Sequence, residues 1–139
     1  MQIVIYSPGD KPKGAEKELL EDYCKRISRI FKFELLTIPV SADKLVESDF
    51  VVVLDETGVR LNNLEFTKKF EDVTSSGRYK RLVFIIGEAY GVSRELKERA
   101  NLTWSFSEQV FPHRLFRIML AEQIYRTIEI TKGSPYHHN

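Results

Sequence analysis

"FVVVLDETG", residues 50–58, decides the fold class of this chain. Its first five residues are all apolar, three of them valine, with no polar alternation. A strand covered on both faces reads this way, and such strands belong to parallel sheets with helices packed on each side. The step to Asp55, Glu56 and Gly58 breaks the apolar run with turn-forming residues, which predicts a turn at the carboxyl end of the strand.

The segments on either side repeat the alternation of strand and helix. "QIVIY" (residues 2–6) is a β-branched run stopped by "SPGDKP". Across residues 13–31, Ala15, Leu19, Leu20, Tyr23, Cys24, Ile27, Ile30 and Phe31 recur at three- and four-residue spacing and predict an amphipathic helix. "FELLTIP" (residues 33–39) predicts a second strand stopped by Pro39, and residues 41–48 a short helix or turn. Beyond the central run, Asn62 with Glu65 three residues later is a capping pair for a helix ending near Gly77. "RLVFIIG" (residues 81–87) predicts a buried strand, residues 93–99 a short helix, and "LTWSFS" (residues 102–107) a weaker strand. Pro112 suits the first turn of a helix running to about Thr131. The expected fold is α/β: one domain over residues 1–139, with a mostly parallel sheet flanked by helices.

Composition narrows the function classes. A chain that is 42% hydrophobic and 29% charged folds rather than staying disordered. With 21 basic against 20 acidic side chains, the formal charge of +1 argues against capture of free nucleic acid by charge alone. The longest apolar runs fall far short of the roughly 20 residues of a membrane span, and the opening residues carry no signal-peptide pattern, so a cytoplasmic protein is expected. A single cysteine, Cys24, rules out an internal disulfide and a thiolate metal cluster, and is expected to pack as a small hydrophobe.

The last helix has its apolar residues on nearly every side. Leu115, Phe116, Ile118, Met119, Leu120, Ala121, Ile124, Tyr125, Ile128 and Ile130 leave little of the circumference polar. Burial on more than one side follows. Another subunit would provide the second covering surface in a homodimer; the alternative is a central helix covered within one chain.

Parallel sheets bind ligands beyond the carboxyl ends of their strands, here the turns after Leu54, Gly87 and Phe106. The glycines of "IIGEAYGVS" fit neither the Walker loop nor the dinucleotide fingerprint. Taken together, "FIIGEAYGVS" (residues 84–93), "WSFSEQVFPHRLFRIMLAEQIYRTIEI" (residues 104–130) and the terminal "SPYHHN" resemble the RlmH type of ribosomal RNA methyltransferase, within the SPOUT class of knotted methyltransferases. The likeness covers essentially the whole chain. It departs at Glu88, where the pattern has a second glycine, and at His138, where Arg or Lys is common.

The resemblance implies transfer of a methyl group from S-adenosyl-L-methionine to N3 of a pseudouridine in 23S rRNA, on the assembled ribosome, by a homodimer with a C-terminal trefoil knot and no metal. It implies a cofactor pocket of Leu54, Gly87, Phe106, Ser107, Glu108, Gln109, Val110 and Phe111. Its catalytic candidates are His113, Glu122, Arg126, Tyr136, His137 and His138, with the base left open among them. Ordinary structural roles compete for each: a helix-end bond for His113, an ion pair for Glu122 with Arg126, a frayed end for the tail. A tail stiffened by Pro135 and Tyr136 suits stacking on an unpaired base, in its own or a neighbouring subunit. Lys11, Arg114, Arg117 and Lys132 are candidates for phosphate contacts. A non-catalytic ribosome-associated or assembly factor of the same fold is the competing reading, and an unrelated α/β nucleotide-binding domain is the third.

Overall fold

The valines of residues 51–53 sit in the interior of a five-stranded sheet of order β2-β1-β4-β3-β5, parallel at every pairing. The computed structural model describes residues 1–88 and 90–138. In chain order the elements are β1 (Gln2–Tyr6), α1 (Gly14–Ser28), β2 (Lys32–Leu36), a 3-10 turn (Ala42–Lys44), β3 (Asp49–Arg60), α2 (Asn63–Ser75), β4 (Arg81–Ile86), α3 (Arg94–Arg99), β5 (Leu102–Ser105) and α4 (His113–Thr131).

Strand periodicity divides the apolar side chains between two cores. Phe50, Val52 and Leu54 of β3, with Phe84 and Ile86 of β4, face α1, α2 and α4, while Val51, Val53, Val83 and Ile85 face α3 and the 3-10 turn. The first core is the larger. On α4, Leu120, Ala121 and Ile124 have no exposed surface, and the helix packs against both α1 and α2. Those two helices and the sheet account within one chain for most of the all-round apolar pattern of α4. Leu115 stays 42% exposed. A shallow groove of about 240 Å³ lined by Leu19, Tyr23, Phe106, Ile118, Met119, Glu122 and Gln123 lies beside it.

Local signals behave as their chemistry requires. The Asn62 side chain accepts from the Glu65 amide at 2.8 Å and Glu65 accepts from the Asn62 amide at 2.9 Å, so α2 starts on a full capping box. Burial pushes the Cys24 thiol up to about 12, as for a packing cysteine. At the amino ends of β3 and β4 Arg81 grips the 1%-exposed Asp49 carboxylate with bonds of 2.7 and 2.8 Å. No helix among the described residues is long and apolar enough to cross a membrane.

One expectation is corrected. β3 does not end at Leu54 but continues to Arg60, and both Leu54 and Val59 pair with Trp104 of β5. Residues 55–58 therefore bulge out of the ladder instead of closing the strand. Gly58 makes the return, since a Cβ there would lie 2.5 Å from the Thr103 carbonyl oxygen.

Candidate active site

Strand order reverses between β1 and β4: the chain leaves β1 toward β2 on one side and leaves β4 toward β5 on the other. A crevice forms at such a switch point, beyond the carboxyl ends of the strands. Here it is an open cavity of about 1120 Å³. The three turns singled out in the sequence meet around it: Leu54 and the bulge residues Asp55 and Thr57, then Gly87, then Phe106, Gln109, Val110 and Phe111. The loop after β1 supplies a fourth edge with Pro8, Gly9, Lys11 and Lys13.

Aromatic packing builds one wall. Trp104 stacks on Phe66 at 3.9 Å, Phe106 meets Trp104 at 4.7 Å, and Phe116 meets Phe106 at 4.8 Å. The Trp104 indole nitrogen is buried without a partner beside the cavity, an orphan donor whose isolation costs about 1–3 kcal/mol. Val110, 79% exposed, forms the rim. Opposite, Gly87 stands hard against the returning chain, where a Cβ would come within 2.7 Å of the Gly91 carbonyl carbon and 2.8 Å of the Val92 amide nitrogen. The Gly91 amide donates to the Glu88 carbonyl at 2.8 Å, which closes the loop. Backbone thus reaches the cavity edge with no side chain in the way. On the bulge, burial raises the Asp55 carboxyl, but bonds from Thr57 and the Lys97 ammonium at 3.6 Å hold it below its usual value.

His113 opens α4 at the cavity. Its Nε2 is buried without a partner and its ring lies under Gly9. Burial, reinforced by Arg117 and opposed by Glu88, lowers its pKa, so the imidazole is neutral near pH 7. Arg117, one turn further along the helix, is 2% exposed and donates to the Asp10 carbonyl at 2.7 Å.

The remaining candidates gather elsewhere. Glu122 and Arg126 form an ion pair, with bonds of 2.5 and 3.0 Å, but not an isolated one. Tyr136 donates to Glu122 at 3.2 Å, Arg126 meets His137 Nδ1 at 2.9 Å, and the Tyr136 ring packs edge-on against Tyr125 at 4.9 Å. α4 ends at Thr131, the chain turns at Gly133, where φ is +73°, and the tail folds back along the helix. Burial is the main cause that raises the Tyr136 phenol well above its usual pKa, so it is a hydrogen-bond donor at pH 7. His138 is exposed. At 1.5 Å rise per residue, Glu122 lies roughly 14 Å along the helix from His113, and this cluster does not line the cavity.

Two predicted pocket residues face away. Ser107 shapes its own turn, accepting from Gln109 N at 3.0 Å, and Glu108 pairs with Arg60 at 3.3 Å on the outside. Lys132 pairs with Glu129 at the opposite end of α4 from the cavity. The sequence reading missed Trp104, Gly9, Lys13 and Phe116. The Pro-Gly step after β1 was a signal available for the loop, whereas nothing local marks Trp104 as a cavity residue.

Residues 1–137 match the family described as predicted SPOUT methyltransferase. The chain is 35% identical to the ribosomal RNA large subunit methyltransferase H of Leuconostoc citreum, an alignment covering 99% of each chain. The proteins of the same name from Streptococcus pneumoniae strains CGSP14 and 70585 are also 35% identical, again over 99% of each chain. A match that spans strands, cavity loops and folded-back tail alike means that this chain belongs to the SPOUT methyltransferase family.

Proposed function

We infer that this protein methylates large-subunit ribosomal RNA, with S-adenosyl-L-methionine as donor and N3 of a pseudouridine in 23S rRNA as acceptor. The observation that carries the reading is the meeting of three sequence-distant turns around one cavity that also holds a neutral histidine. When bound, the donor supplies an electrophilic methyl on a sulfonium, so the protein has only to align two reactants and take one proton. The lining suits such a nucleoside: Leu54, Phe106, Val110 and Phe111 offer apolar walls, the bare backbone at Gly87 permits close approach, and the orphan Trp104 N–H awaits an acceptor.

His113 is the group of this protomer best suited to accept the N3 proton, because it is at the cavity and uncharged at neutral pH. The cluster of Glu122, Arg126, Tyr136 and His137, with exposed His138 beyond it, serves in this reading across a homodimer seam formed on the open side of α4, where Leu115 and the groove at Met119 lie. Ser107 and Glu108 shape and brace the cofactor loop. The trefoil knot, with the C-terminal segment threaded through a loop, is part of the same proposal. Near-zero net charge supports recognition of the assembled ribosome over free RNA.

The test is incubation of methyl-labelled S-adenosyl-L-methionine with intact ribosomes, free large subunits and bare 23S rRNA, followed by mapping of the modified base. Label on one pseudouridine of intact ribosomes is expected. Label on a different base overturns the acceptor, equal rates on bare RNA overturn the ribosome requirement, and no label anywhere overturns the activity.

A further inference from the structure

The cavity exceeds what one small ligand needs, its volume of about 1120 Å³ standing above the roughly 300–1,000 Å³ of typical small-molecule sites. Its lining divides by chemistry. Leu54, Ile86, Trp104, Phe106, Val110 and Phe111 supply its apolar lining, whereas Lys11, Lys13, His113, Arg114 and Arg117 supply cationic and imidazole groups at the other edge, interleaved there with Asp10 and Glu16.

Arg117 distinguishes the basic side from ordinary solvated surface. It is 2% exposed and its Nε is buried without a partner, and the carboxylates of Glu16 and Asp10 offset its burial only from beyond ion-pair distance. An enclosed cation in this state is unfavourable unless an anion comes near. Its one strong contact, to the Asp10 carbonyl, pins the loop of residues 8–13 over the start of α4. On that loop Lys11 and Lys13 are exposed and form no ion pair among the described residues, while neighbouring Arg114 is engaged with Glu16 at 3.2 Å. Two exposed cations with no ion pair among the described residues therefore share the lining of this cavity with one buried cation and with His113.

We propose that residues 8–13 form the acceptor strap of this cavity: Lys11 and Lys13 bind the phosphates flanking the target nucleotide of a single-stranded RNA segment, and Arg117 is a positioning residue that holds the strap and supplies charge beneath it. A base must leave its stack to reach His113, so the bound segment is single-stranded at that point. The inference rests on the methyltransferase reading above and adds which edge of the cavity takes the nucleic acid.

The experiment measures initial rates on intact ribosomes at several monovalent salt concentrations, beside calorimetric titration with S-adenosyl-L-methionine. For Lys11→Ala/Lys13→Ala, KM is expected to rise about tenfold with kcat and donor affinity within about twofold, and the salt slope of log(kcat/KM) to fall by about 1.4, roughly 0.7 per lost phosphate contact. Arg117→Met is expected to raise KM similarly, and Arg117→Lys to recover most of the loss because it keeps the charge. An unchanged slope with KM within twofold overturns the strap, and so does a loss of donor affinity, which would assign the lysines to the other ligand. Wild-type protein that binds no S-adenosyl-L-methionine overturns the underlying reading instead.

Discussion

Gly87→Ala is the sharpest test of the cavity's donor side. A Cβ at this position would sit 2.7 Å from the Gly91 carbonyl carbon, 2.8 Å from the Val92 amide nitrogen and 2.9 Å from Val92 Cγ2. The first two are backbone atoms, which cannot rotate away. Restoring an ordinary contact of 3.4 Å requires the chain at residues 91–92 to recede by about 0.7 Å. Overpacking of this kind costs about 1–3 kcal/mol. If the loop takes up that strain by moving, the donor's amide partners move with it, and affinity falls by about fivefold to a hundredfold, at 1.4 kcal/mol per factor of ten. The melting temperature should drop by roughly 3–4 °C for each kcal/mol in a chain of this size. Gly77→Ala is the control: Gly77 has φ +70 with no atom within 4 Å of a Cβ, and lies between α2 and the amino end of β4, away from the cavity. It should lose comparable stability and keep its affinity. Calorimetric titration with S-adenosyl-L-methionine at 25 °C, with melts in parallel, separates the two. Binding by the Gly87→Ala protein within twofold of wild type would refute the assignment of this loop to the donor.

Three further outcomes are expected. His113→Asn should lower kcat by about 10²–10⁴-fold while sparing donor affinity. Because burial, with Arg117, depresses the His113 pKa, the wild-type rate should rise through an acid limb centred below 6.5 and show no loss from this group between pH 7 and 8; a limb above 6.5 would contradict the assignment. Asp49→Asn leaves the part-buried Arg81 without its counter-ion and should cost about 3–5 kcal/mol in chemical denaturation. Burial raises the Asp49 carboxyl, but Arg81, the Val46 amide and Arg99 bring its net pKa below 3.8, so the stability it contributes is present above that pH and lost as pH falls through the folded value. A chain ending after Gly133 loses the Tyr136–Glu122 and Arg126–His137 contacts, a cost of about 1–3 kcal/mol, but keeps α4. It should bind donor normally and fail to methylate ribosomes; full activity would remove the tail from the reaction.

What could be read from the chain alone was whatever depends on near neighbours in sequence. The five-residue apolar run at 50–54 required a doubly covered strand, the Asn62 and Glu65 pair required a helix start, and the Phe-Pro-His step with the closing Pro-Tyr-His carried the family resemblance, because each signal is complete within a few residues. Spatial relations between distant segments were decided by tertiary packing. The valines at 51–53 demand cover but do not say from which helix, and most of the apolar surround of α4 is met in this chain by α1, α2 and the sheet, with Leu115 left exposed. No local pattern distinguishes a turn from a bulge at 55–58, since the outcome depends on Val59 finding Trp104 again. The separation of His113 from Glu122, Arg126, Tyr136 and His137 follows from helix rise, and the pinning of the β1–α1 loop follows from Arg117 reaching a carbonyl 107 residues away in sequence. Sequence thus specified the parts and their chemistry, because short-range propensity and periodicity are local; the folded chain decided which parts share a cavity, because that is set by contacts made only after the sheet has ordered its strands.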